Sequence, residues 1–172
     1  QSIYKMQPTN LDYLKQHYFS NPEKRMQLRA GETLLEAGQK NRRLFLICKG
    51  KLIGSILDEK GVRAELFQSG VDKFVAAYSF FSYNHQSYST VVAVEDAELA
   101  YLEHDDPFLK ENYAAFAENL LPIVAEELYN RQLSAQKFNQ ERQEMLERLH
   151  KTEKLALLGQ MAAGLAHELN NA

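Results

Sequence analysis

At 172 residues and 45% hydrophobic content, the chain has material for one packed domain plus an appendage and is not a disordered polymer. A net charge of −3 and a pI near 6.0 leave no basic footprint for nucleic acid and no general attraction to an anionic membrane. Cys48 is the one cysteine, so no intrachain disulfide or thiolate metal site can form, and no apolar run exceeds five residues, which excludes a membrane span or signal-peptide core.

In chain order, residues 1–25 read as a lead-in, with Asn10 as the cap of a short helix over LDYLKQHYF and Asn21-Pro22 as its end. Six of the eight glycines then fall between Gly31 and Gly70, separated by short apolar runs. TLLEA, RRLFLIC, LIGSIL and RAELF read as strands, and AGE, EAGQKN, KGK, DEKG and SGVD as turns. Cys48 lies within the run LFLIC and is expected to be a buried thiol in a reducing compartment. Turns this closely spaced predict an all-β sandwich or barrel. Periodicity does not decide whether FVAAYSFF is helix or strand. SYSTVVAVE and AELAYLE read as a closing pair of strands with Asp96 in the turn.

From Asp106 the pattern becomes helical. DPFLKENYAAFAENLL has Asp106 placed to cap and Pro107 at the first helical position. Pro122 can start or kink the next segment. Ile123 to Leu158 is a helix of 36 residues without a breaker. Its heptad seam runs through Leu128, Arg131, Ala135, Phe138, Arg142, Met145, Leu149 and Thr152. A stripe that narrow has no place to be buried except against a copy of itself, so a parallel dimeric coiled coil is expected, weakened by its arginines. A second stripe, Leu155, Leu158, Ala162, Leu165 and Leu169, is out of register with the first. His167 lies roughly 200° around the helix from Leu165 and Leu169, beside the small residues Ala163 and Gly164.

Two stretches carry resemblances. LALLGQMAAGLAHELNNA resembles the phosphoacceptor helix of two-component sensor histidine kinases: Leu158-Gly159, Ala163-Gly164, Ala166-His167-Glu168 and Asn170-Asn171 fall at that family's spacing. The resemblance implies that His167 is the phosphoacceptor, Glu168 its assisting carboxylate and Asn171 the residue that orients water for dephosphorylation. The family has proline after the paired asparagines where this chain has Ala172. Near pH 7 histidine is mostly neutral and nucleophilic, as phosphoryl transfer to nitrogen requires. A neighbouring carboxylate can hold its tautomer.

The second, MQLRAGETLLEAG…RLFLICKGKLIGSILDEKG…ELFQSG…STVVAVEDAELAYLEHDD, resembles the cyclic-nucleotide-binding domain, an eight-stranded jelly roll followed by helices. Gly31, Gly38, Gly50, Gly61 and Gly70 fall where that family turns between strands. Its ligand site has a Gly-Glu pair and an arginine that clamps the cyclic phosphate. Here those positions read Val75-Ala76 and Ser87; no Arg or Lys occurs from Phe74 to Leu109, and no Glu from Phe74 to Val94. Losing the guanidinium forfeits a charge-assisted bond worth roughly 1.5–3 kcal/mol, which argues against cAMP or cGMP binding. The pocket is either retuned to another ligand, lined by Phe74, Ala76, Tyr78, Ser87, Ser89 and Thr90, or filled by nearby aromatics. His17, His85, His104 and His150 are scattered without ligand spacing, so no metal site is expected. Arg42 and Arg43 read as a strand-edge charge pair.

The expected architecture is α+β: a jelly-roll sensor domain with flanking helices over residues 1–120, a coiled-coil signalling helix over 121–154, and a truncated phosphoacceptor helix over 155–172. The expected function is the sensory part of a cytoplasmic, homodimeric histidine kinase that phosphorylates a response-regulator receiver domain, without nucleic-acid or membrane partners. The chain starts without Met and stops in mid-helix, so it reads as a piece of a longer protein. ATP and Mg²⁺ are expected only in a separate catalytic domain, and this stretch alone should not autophosphorylate. The alternatives are a ligand-binding transcription regulator of the catabolite-activator type, which needs a helix-turn-helix and a basic recognition surface, or a dimerising interaction module.

Overall fold

The computed structural model describes residues 9–172, so the first part of the lead-in lies outside the described residues. The chain divides into two units, Gln1–Glu126 and Glu127–Ala172.

The first unit opens with helix α1 (Asn10–Tyr18). Its cap is Thr9, one residue before the expected Asn10, because Thr9 and Asp12 form a reciprocal capping box. Eight strands follow: β1 (Arg25–Leu28), β2 (Thr33–Leu35), β3 (Arg43–Lys49), β4 (Leu52–Leu57), β5 (Arg63–Ser69), β6 (Phe74–Val75), β7 (Thr90–Ala93) and β8 (Ala97–Glu103). Between β6 and β7 lies a short helix, α2 (Ala77–Phe81). FVAAYSFF is therefore strand and then helix, broken at Ala76.

The strands form two antiparallel four-stranded sheets, ordered β1-β8-β3-β6 and β2-β7-β4-β5. The two sheets are the β sandwich expected from the turn spacing, and with the helices they make the α+β jelly roll that the resemblance implied. The closing strands differ from expectation: β7 and β8 do not pair with each other but pass from one sheet to the other. β1, absent from the list of apolar runs, pairs with β8. The β3–β4 turn requires glycine. Gly50 has φ +91°, and a Cβ there would meet the Asp96 carbonyl at 2.5 Å.

Period-2 alternation sorts the apolar residues into two cores. Phe45, Ile47, Leu52, Val75, Val91, Ala93 and Leu99 pack together from both sheets. Leu44, Leu46, Phe74, Ala100 and Leu102 point the other way, against Leu14 and Tyr18 of α1, Phe80 of α2, and Leu109, Phe116 and Leu120 of the later helices. Those helices are α3 (Pro107–Glu111) and α4 (Tyr113–Asn171). Asp106 caps α3 by accepting from the Phe108 N–H at 2.9 Å, with Pro107 at N1, as expected. The expected single helix through Leu121 is interrupted at Asn112. Its side chain turns back to the Phe108 carbonyl (2.9 Å), and its own carbonyl accepts from the Tyr18 hydroxyl (3.2 Å). α4 continues through Pro122, which forfeits one ladder bond.

The second unit is helical from Glu127 to Asn171. Leu128, Phe138, Met145 and Leu149 of the expected seam are 60%, 67%, 64% and 54% exposed within the single chain. The leucines of the second stripe are exposed as well. Among the described residues, no helix is long and apolar enough to cross a membrane.

Candidate functional site

The segment between β6 and β7 holds most of the residues that the sequence resemblance nominates as a ligand pocket. Ala76 breaks the strand at φ 71°, ψ 24°, a left-handed conformation that most L-residues avoid. Its carbonyl accepts from the Phe80 N–H (3.0 Å) and the Ser79 hydroxyl (3.2 Å), which starts α2 without a side-chain cap. Phe74 faces the helix layer and stacks on Phe19 at 5.5 Å, so the structure does not bring it together with the other expected pocket residues. Ala76 instead packs against the core between the sheets. Tyr78 is 56% exposed and meets Tyr88 edge-on at 5.2 Å.

Ser87 and Ser89, two residues apart, are both buried, and the Ser87 hydroxyl donates to the Ser89 carbonyl at 2.7 Å. The Thr90 hydroxyl accepts from the Ala37 N–H (3.1 Å) and donates to Glu36 (3.4 Å). The Ser87 and Thr90 hydroxyls thus bond to the protein itself.

Sequence reasoning missed the staple that holds this segment. The Ser87 N–H donates to the Gln39 carbonyl (2.9 Å), and the Gly38 N–H donates to the Ser87 carbonyl (2.6 Å). The Asn41 N–H donates to the His85 carbonyl (2.8 Å). The buried Asn41 amide donates to the Ser79 hydroxyl (2.8 Å) and the Arg43 carbonyl (2.7 Å), while its oxygen accepts from the Arg43 N–H (3.2 Å). The Lys40 ammonium donates to the Asn84 carbonyl at 2.7 Å. A local signal existed only in the polar run Gln39-Lys40-Asn41 before an apolar strand; the partners lie far along the chain.

His85 and His104, expected to be isolated, come together with ring centroids 5.0 Å apart. The His85 ring contacts the Ser79 carbonyl at 2.8 Å. Burial first, then the Arg42 guanidinium and His85, hold the His104 pKa below the ordinary histidine value, against the opposing pull of Asp105. Arg42 and Arg43 are not merely an edge pair, for each has a carboxylate partner: Asp105 at 3.0 Å and Glu103 at 3.1 Å. Arg43 also lies over the Tyr101 ring, 4.3 Å from its centre. Cys48 is half-buried rather than sealed in the core. It sits near the end of β3, where its sulfur receives the Arg25 guanidinium at 2.9 Å. Among the described residues, no group of three or more His, Cys, Asp or Glu side chains could hold a metal.

The other candidate residues lie on the last turns of α4. His167, Glu168 and Asn171 are all exposed. The Asn171 amide nitrogen lies 2.9 Å from His167 Nδ1. In this orientation Nδ1 accepts and Nε2 carries the ring proton. Turning the amide over places the proton on Nδ1 and frees the Nε2 lone pair for attack.

Comparison with known proteins bears on the first unit. Residues 25–109 match the cyclic nucleotide-binding domain family. No curated protein matches the chain. Similar solved structures include the catabolite activator protein of Thermus thermophilus, at 20% identity and TM-score 0.58, over 79% of this chain and 62% of that one. The c-di-GMP responsive global regulator CLP of Xanthomonas campestris is similar at 14% identity and TM-score 0.59, over 72% of this chain and 58% of that one. The regulatory domain of Toxoplasma gondii PKA, crystallised with cAMP, is similar at 12% identity and TM-score 0.50, over 59% of this chain and 38% of that one. The chain thus spans less than two thirds of the length of these three proteins, and at such identities the likeness establishes the fold.

Proposed function

We propose that the chain is the sensory part of a signalling protein, in which a cyclic nucleotide-binding-type jelly roll controls His167 as a phosphoacceptor. One observation carries this reading. An exposed histidine, with a carboxylate next to it in sequence and an asparagine amide on its Nδ1 one turn later, stands on a helix whose sequence matches the phosphoacceptor spacing from Leu158 to Asn171. The roles follow from chemistry: with the Asn171 amide turned so that its oxygen accepts from Nδ1–H, Nε2 of His167 attacks the γ-phosphoryl group of ATP as the bond to the departing ADP breaks, Glu168 supports the developing imidazolium, and Asn171 positions water for dephosphorylation. The exposed stripes of the second unit support self-association as a coiled-coil dimer, and a receiver domain is the expected recipient of the phosphoryl group.

A second reading has its own support. The structural neighbours are mostly transcription regulators, and the comparisons lend more weight to a regulator of the catabolite-activator type than to a kinase. The balanced charge of the long helix and the small-residue run Ala162-Ala163-Gly164 speak for the kinase reading. Concerning ligand, the family match favours a cyclic nucleotide, whereas Val75, Ala76 and Ser87 at the clamp positions weigh against one.

The test is phosphorylation. The chain is joined to, or mixed with, a histidine-kinase ATP-binding domain and labelled ATP, and compared with His167→Gln. Acid-labile label that disappears in the variant is expected; equal labelling removes the phosphoacceptor assignment. Anisotropy with duplex DNA tests the regulator reading: salt-sensitive, sequence-specific binding would favour it. Calorimetry with cAMP and cGMP decides the nucleotide question.

A further inference from the structure

The first unit contains a cavity of about 370 Å³ whose lining is distinct from the expected ligand residues, though its Gln39 and Asn41 hold the neighbouring segment. None of Phe74, Ala76, Tyr78, Ser87, Ser89 and Thr90 lines it. Its volume lies at the lower end of the range of about 300–1,000 Å³ typical of small-molecule sites. The walls come from β1, β2, the 39–42 turn, β3 and the end of β8. Met26, Leu34, Leu35 and Phe45 are its apolar residues, and they belong to the core between the sheets. Lys40, Arg42 and Arg43 bring cations to it, and Glu103 and Asp105 bring carboxylates.

The charges do not cancel. Asp105 serves both Arg42 (3.0 Å) and Lys110 (3.7 Å), and Glu103 serves Arg43. Lys40 bonds to a neutral carbonyl. Among the lining residues, three cations therefore stand against two carboxylates, and Asp105 is further shared with Lys110 outside the cavity. Asp105 is well exposed and its pairs are solvent-screened, so Arg42 can be drawn to another anion at small cost. The two resident carboxylates repel a multiply charged group such as a phosphate dianion more than a single carboxylate. The partly exposed apolar residues Met26 and Leu34, beside an excess of positive charge, match a molecule with an apolar body and one negative head.

We propose that this cavity binds a small amphipathic monoanion, a carboxylate with an aliphatic body. Its head is held by Lys40 and Arg42, and its body lies on Met26 and Leu34. The site is separate from the cyclic-nucleotide segment and does not depend on the His167 reading. It also offers a route for a signal: Phe45 neighbours Leu44 and Leu46, which face the helix layer, and Asn41 in the wall is bonded to Ser79 of α2.

The test is titration calorimetry on the whole chain with octanoate, octan-1-ol and octylammonium, at low and moderate salt. Saturable octanoate binding below about 1 mM is expected, at least about tenfold tighter than octan-1-ol, with octylammonium weaker still. Lys40→Gln and Arg42→Gln should each weaken octanoate about three- to tenfold and leave octan-1-ol unchanged. Leu34→Trp, which fills the cavity without touching a charge, should abolish binding of both. Circular dichroism and the thermal midpoint establish that each variant is folded. Lys40→Gln removes an exposed ammonium and its one exposed bond to the Asn84 carbonyl, and so serves even if Leu34→Trp fails to fold. Absence of saturable octanoate binding, equal affinity for octanoate and octan-1-ol, or octanoate binding indifferent to Lys40→Gln in the folded variant would each overturn the proposal.

Discussion

Asn41→Ala offers the sharpest test of how the segment between β6 and β7 is held. Asn41 is 7% exposed, and its side chain makes three hydrogen bonds: two with the Arg43 backbone and one with the Ser79 hydroxyl. Each such bond contributes about 1 kcal/mol net. Arg43 is half-buried, so water recovers part of its share. The Ser79 bond is buried on both sides and has no such substitute. The expected loss is about 2 kcal/mol, read as a lower urea midpoint at unchanged m, or a fall in Tm of roughly 8 °C. A double-mutant cycle with Ser79→Ala should return a coupling of about 1 kcal/mol. Amide exchange should rise in residues 79–86 before it rises in β4, because the bond ties α2 to the wall and not to the far sheet. A loss below about 0.5 kcal/mol, or a coupling near zero, would refute the staple as the holding device.

Three further outcomes follow from single features. Gly54→Ala places a Cβ into the Phe67 ring and should cost about 2–3 kcal/mol in chemical denaturation; adding Phe67→Leu should restore part of it. Ala76→Gly relieves a left-handed conformation worth roughly 1–2 kcal/mol but gives back about 0.4–1 kcal/mol of chain entropy, so stability should hold or rise slightly; Ala76→Val should lower it, and thermal melts distinguish the two. His104 has a lowered pKa when folded, so below about pH 6.5 the unfolded chain takes up a proton that the folded chain resists. Its contribution is complete above that pH and declines as pH falls through the folded pKa, so urea midpoints should drop on acidification, and His104→Gln should flatten that slope.

The strands between Thr33 and Ser69 were legible because glycine and polar turns punctuate apolar runs, and both signals are local. Three features were not, each for a nonlocal reason. β1 reads as a polar stretch, RMQL, and becomes a strand only through its pairing with Ala97–Ala100. The break at Asn112 depends on the hydroxyl of Tyr18, 94 residues earlier. β7 and β8 looked like a hairpin because only Val94, Glu95 and Asp96 separate them, yet that connection crosses between the sheets. In the candidate site, the missing arginine and glutamate were visible as absences in the sequence. The sheet face of Phe74 was not, since a one-residue shift in a two-residue strand exchanges its faces. His85 and His104 meet only because the 82–90 segment folds back over the end of β8.

β3 acts as a party wall. Its residues alternate between the core that joins the sheets and the core beneath the helices, with Leu44, Phe45, Leu46 and Ile47 all buried. Neither room can be refurnished without disturbing the other. A substitution that enlarges Phe45 to suit a new occupant pushes the backbone from which Leu46 reaches Phe80 and Phe116. Natural variation along this strand should therefore be concerted, with changes on one face matched by changes in α1 or α4. The same thinness means that a displacement of the wall by one bond length is felt at once on its far side, without a relay of intermediate residues.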